Sequence, residues 1–232
     1  YMNWELWLRP SKLQPWIPGY PRSCLQLNRF WDFGSGQLGD MGSHMMDLAY
    51  WALDLKLPPS CEAKGSELNP DTCPTWLTAN WDHPANDWRP AVKVYWYDGD
   101  KKPCVPSSII NRDSLFKGVL FKGDKGYLLA DYGYRMVLLT GDMTQYKGPK
   151  TEADLIPKSL GHHQEWINAC KTGSETLCNF DYSGALIEHN LLGMAAFRAG
   201  EKLEWDAKAL KVTNCPKAND FIRREYRKGW TI

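Results

Sequence analysis

Four glycines within nine residues, Gly34, Gly36, Gly39 and Gly42, lead straight into a segment of helical periodicity. Met41, Met45, Leu48, Ala49 and Ala52 recur at the spacing of one helix face. Without a Cβ, glycine lets other backbone or a ligand come close to the start of that helix. Asp40 and His44 are four residues apart, so both side chains share a face about one turn apart. A carboxylate beside an imidazole at the mouth of a glycine-rich turn is suited to handling protons.

Other chemistry can be read into the same stretch. Gly34, Gly36 and Gly39 spell G-x-G-x-x-G, the dinucleotide fingerprint, which requires a preceding buried strand and a following parallel one. Leu25, Leu27, Trp31 and Phe33 could supply the first strand. Asp40, however, puts a negative charge where a pyrophosphate would sit, so a phosphate loop is not expected. Asp40, His44 and Asp47 are possible metal ligands, but no second cluster is obviously paired with them. His163 and Glu165 would have to converge on Asp40, and no metal site is expected. The plainest alternative makes Asp40 a helix cap and His44 a buried, satisfied histidine. His189, next to Glu188 in mid-helix, is expected to face solvent or a helix neighbour.

Composition narrows the classes. A chain of 232 residues can bury a core, and it is read as one domain over residues 1–232. The net charge of +1, with lysines scattered, argues against a nucleic-acid partner. No apolar run approaches the roughly 18 residues that span a bilayer. The seven cysteines form no C-x-x-C pair, and their odd number opposes a complete disulfide framework. Twelve tryptophans and eleven tyrosines could stack on sugar rings, although most are expected to fill cores and interfaces.

Residues 1–33, rich in proline and tryptophan, read as an extended arm packed by its aromatics. A helix over about 40–54 follows, ended by Pro58 and Pro59. Strands are expected at Cys61–Leu68, Trp76–Trp81, Val92–Tyr97, Lys117–Phe121, Gly126–Ala130 and Tyr134–Leu139, joined in one antiparallel sheet by closely spaced turns. Residues 141–160 read as a polar loop. Helices are expected at Gly161–Cys170, Asp181–Arg198 and Lys217–Tyr226. The fold class is α+β: an open, predominantly antiparallel sheet with helices packed on one face.

Trp4–Leu8, the run Trp31–His44, Met46-Asp47 and Trp51–Asp54 resemble the Gfo/Idh/MocA oxidoreductases, as do Trp96–Gly99, Gly161–Trp166, Phe180–Tyr182 and Leu203–Asp206. Asn214-x-Pro216, Ala218-Asn219 and Tyr226–Trp230 extend the likeness, which is greatest to the bacterial branch acting on sugars and glycosides. The resemblance implies an enzyme with an N-terminal Rossmann domain for NAD or NADP, followed by an α/β domain. This chain matches the second domain, so it is expected to bind neither cofactor alone. Asp40 and His44 would be the catalytic pair, with His163, Trp31 and Tyr20 contacting a sugar or glycoside substrate. With helices on one face of the sheet, the other needs cover, and its aromatic content predicts a homo-oligomer joined through the sheet. A bacterial cytoplasm or periplasm is the expected compartment. Arg9 and the pair Asn28-Arg29 depart from the family pattern at the substrate-contact surface. The rival readings are a stand-alone carbohydrate-binding or assembly module, an NAD-assisted glycoside hydrolase, and a metal-dependent hydrolase.

Overall fold

The computed structural model describes residues 2–16, 18, 20, 24–106, 117–133, 135–139 and 158–230. In chain order the elements are α1 (Trp4–Trp7), α2 (Cys24–Leu27), α3 (Gly36–Ala52), β1 (Ser60–Gly65), β2 (Leu77–His83), β3 (Val92–Tyr97), β4 (Val119–Lys122), β5 (Gly126–Ala130) and β6 (Arg135–Leu139). Then come α4 (His162–Thr172), α5 (Phe180–Ala199), β7 (Leu203–Asp206), β8 (Lys211–Val212) and a 3₁₀ turn, Pro216–Phe221. The class is α+β with open antiparallel sheets. Most of the polar loop expected over 141–160 lies outside the described residues.

The chain forms two compact units. One comprises residues 1–104 with 186–232, the other residues 105–185. In the first, five strands run in the order β3-β2-β1-β7-β8. The register aligns Cys61 with Trp81 and Trp81 with Val94, and likewise Ala63 with Ala79 and Ala79 with Trp96. These six side chains are buried on one face, because alternate residues of a strand point the same way. The helices pack on that face: Gly193 of α5 lies against Trp81 and Ala79, and Phe197 against Gly65. The second unit holds a three-stranded antiparallel sheet, β4-β5-β6, with α4 and the first residues of α5.

Three expectations are corrected. The strands between 61 and 139 form two sheets, because the free edge of β1 is taken by β7, with Cys61 opposite Leu203. The arm before α3 contains two helical turns. α1 is started by Asn3, whose side-chain oxygen accepts from the Leu6 amide at 3.0 Å. The last helix is only a 3₁₀ turn. Asn219 spends its amide on β8, accepting from Val212 N and donating to Val212 O, which competes with helical continuation. Of the two surroundings expected for His189, solvent or a helix neighbour, it has the second: it is fully buried and meets Tyr50 of α3 edge-on, ring centres 5.7 Å apart.

Candidate proton-transfer site

The turn before α3 is sewn to its surroundings by main chain. Gly34 N donates to Phe30 O at 2.9 Å and Gly36 N to Asn28 O at 2.7 Å. Cys73 N donates to Arg29 O at 2.7 Å, and Phe30 bridges Thr72. A Cβ on Gly34 would overlap the Asn28 main chain, and one on Gly36 would sit 2.9 Å from the Cys73 Cβ. Gly36 also has φ +65°, a conformation that favours glycine. The space these glycines open is therefore filled by the protein itself.

This turn does not fit a dinucleotide. The segment before it is α2 and an isolated antiparallel bridge, and the strands of the sheet pair antiparallel. A pyrophosphate loop needs a parallel βαβ unit and room at the glycines. The residues around Gly34–Gly39 supply neither.

Asp40 lies within α3, beyond the N-cap position held by Ser35, so it is not the cap. Its carboxylate instead accepts from Asn28 Nδ2 at 2.6 Å. Asn28 thus fixes the turn through its carbonyl and Asp40 through its amide. His44, one turn further on, is exposed rather than buried. The result is a tethered carboxylate with an accessible imidazole on the same helix face.

The other candidates fall in different surroundings. Trp31 is 9% exposed; its Nε1 donates to Asn69 O at 3.0 Å, and the Arg198 guanidinium lies 4.9 Å from its ring centre. Tyr20 is 5% exposed and packs edge-on to Phe30 and Phe33. Its hydroxyl donates to Gln14 Oε1 at 2.9 Å, and burial, then the charges of Asp32 and Asp71, raises its pKa. The arm carrying Tyr20 stacks further through Trp4, Trp7 and Trp16. His163 lies on α4 in the second unit, exposed, with its ring 4.2 Å from that of His162. Among the described residues, no three of histidine, cysteine, aspartate and glutamate gather as a metal site. Nor is any described helix long and apolar enough to cross a membrane.

Two features escape the sequence reading. Asn28 holds Asp40 but carries no motif that announces it. Beneath α3 lies a buried polar cluster in which His83 and His189 meet Nε2 to Nε2 at 3.3 Å. His189 stacks on Trp81 at 4.3 Å, and its Nδ1 is 3.1 Å from Asn190 Oδ1. Burial depresses both pKa values, to about 4 for His83 and about 3 for His189. Both rings are therefore neutral near pH 7.

Residues 1–85 match the family model described as the oxidoreductase family, C-terminal alpha/beta domain, of the Gfo/Idh/MocA proteins. The match takes in the glycine turn, the whole of α3 with Asp40 and His44, and the first two strands. It supports a Gfo/Idh/MocA-type C-terminal oxidoreductase domain over that part of the chain. No curated protein matches the chain.

Proposed function

We propose that this chain is the substrate-binding and proton-handling C-terminal domain of an NAD(P)-dependent oxidoreductase acting on a ring hydroxyl of a sugar, cyclitol or glycoside. The observation that carries the reading is the coincidence of the family match with Asp40 tethered by Asn28 and His44 exposed one turn later. Oxidising a secondary alcohol requires that the hydroxyl lose its proton, and an imidazole within reach is the usual base. His44 takes that proton, and Asp40 orients the imidazole or passes the proton on. Because the glycine turn is filled by Asn28 and Cys73, the nucleotide belongs on a separate domain.

A second reading, a carbohydrate-binding module with no redox activity, is favoured by the aromatic arm. Trp16 is 49% exposed and stands edge-on to Trp4 at 4.9 Å, leaving ring surface for a sugar face. Steady-state kinetics on the protein joined to its nucleotide-binding domain separates the two. His44→Ala is expected to lower kcat by about 10²–10⁴ with little change in KM, as loss of a general base does. Asp40→Asn keeps the shape and the hydrogen-bonding size but loses the charge, and is expected to slow turnover while melting like the parent. Full activity in either variant removes the catalytic assignment. Glycan binding without turnover selects the second reading.

A further inference from the structure

The end of α5 carries a guanidinium with no carboxylate partner among the described residues. Arg198 is half-buried between two aromatic rings, 4.9 Å from the centre of Trp31 and 4.2 Å from that of Phe221. Packing between two rings places the guanidinium but uses none of its five N–H donors. Among the described residues Arg198 makes no hydrogen bond or ion pair. A second cation stands beside it. Arg224 donates to Trp31 O, and to Asp32 O at 2.7 Å, so its position is set by main chain rather than by a carboxylate.

The local electrostatics is that of a site awaiting a negative charge. Burial, and then the like charge of Arg224, lowers the pKa of Arg198. The ionisable group that would favour its charge is the Cys73 thiol, which burial pushes up to about 12 and so keeps neutral. Arginine stays protonated in proteins, so two guanidinium charges share this corner, and among the described residues neither makes an ion pair. Some compensation comes from the C-terminal end of the α5 dipole, but that effect is a fraction of a unit charge.

We infer that Trp31, Phe221, Arg198 and Arg224 form a binding site for a small anion, a carboxylate or phosphoryl group of a ligand. Planar guanidinium forks match both groups with paired, charge-assisted hydrogen bonds. Trp31 and Phe221 hold one guanidinium in place while Arg224 brings the second charge. The site does not depend on the oxidoreductase reading, since it is built from residues with no part in proton transfer.

Inorganic phosphate and acetate are the probes, titrated into the 232-residue chain at constant ionic strength with chloride as the balancing ion. Saturable binding by calorimetry, with a rise in Tm, is the expected result. Preference for phosphate assigns a phosphoryl ligand, and preference for acetate assigns a carboxylate. Arg198→Met is expected to abolish the binding. Arg224→Gln, at an exposed position, is expected to weaken it about tenfold or more, as loss of one charged partner does. If Arg198→Met fails to fold, Arg224→Gln decides. A chain that takes neither probe above the chloride background overturns the inference, and so does equal binding by the folded variants. A merely structural Arg198 would lower Tm on mutation without any anion dependence.

Discussion

At the scale of single residues, the buried pair His83 and His189 makes the native state acid-sensitive in a defined window. Ordinary histidine titrates near 6.5, whereas these two are held to about 4 and about 3, first by burial and, for His83, then by the charge of Arg89. Between those values the unfolded chain binds protons that the native one refuses, so stability falls as pH drops below about 6.5. Each site contributes at most about 1.4 kcal/mol per pH unit until its folded pKa is passed. Asp82 acts lower down. Lys93 and Lys202 hold its carboxylate at about 2, so its contribution is lost only as pH falls below about 3.8. Denaturant midpoints measured from pH 7 to pH 4 are expected to decline, and His83→Gln to flatten that slope. An unchanged slope would move the acid sensitivity to other groups. The Asp40 and His44 pair was legible beforehand because a four-residue step on a helix fixes their common face. Asn28 was not, since its reach to Asp40 depends on how a non-helical turn folds back. Sequence leaves His189 between solvent and a helix neighbour, and burial of α5 on nearly all sides, including at Asn190, selects the neighbour, Tyr50 of α3.

At the scale of elements, α3, α5 and β2 approach each other through missing side chains. A Cβ on Gly193 would come within 2.8 Å of both Leu38 in α3 and Trp81 in β2, and one on Gly42 within 3.0 Å of Asn190. Alanine is the better helix former by about 1 kcal/mol, yet Gly193→Ala is expected to destabilise by about 1–3 kcal/mol through overpacking. Gly184, in the same helix with nothing within 4 Å, gives the contrast. There Gly184→Ala is expected to stabilise by about 0.5–1 kcal/mol. Urea denaturation of both variants checks the pair, and a neutral Gly193→Ala would mean the helices can separate without cost. Elements bounded by strong turn signals on both sides were readable to the residue, as β3 at Val92–Tyr97 and β5 at Gly126–Ala130 show. β7 and β8 were not, because four- and two-residue strands have too little pattern to announce themselves. Their pairing comes from the partner edge: β7 against β1, and β8 held through Asn219. The start of α3 was set too late in the sequence reading because glycines are poor helix formers in isolation. Here Gly36 opens the helix with φ +65° against Cys73, and Gly39 packs closely on Ser35.

At the scale of the whole molecule, the five-stranded sheet has two unlike faces. α3 and α5 cover the face of Trp81 and Ala79. The other presents Glu62, Lys64, Thr78, Asn80, Tyr95 and Tyr97 around a shallow depression of about 260 Å³. Tyr95 is 54% exposed and stacks on Tyr97 at 6.2 Å, and it stands on β3, the edge strand of the sheet. Tyrosine is enriched at protein interfaces because it combines an apolar ring with a polar end. Glu62 and Lys64 on one strand pair with each other at 3.5 Å, so this face carries both charges and no net one, and it can meet its own copy across a two-fold axis without repulsion. We propose that this uncovered tyrosine face joins copies of the chain into a homo-oligomer. Multi-angle light scattering of the chain is expected to give at least a dimer mass. Tyr95→Lys, which replaces an exposed ring with a second charge next to Lys93, should shift the population toward monomer with little change in the melting of the protomer. A parent that remains monomeric at high concentration would end this expectation. A Tyr95→Lys variant that assembles like the parent would move the contact to another surface and leave the tyrosine face for a ligand or a different partner.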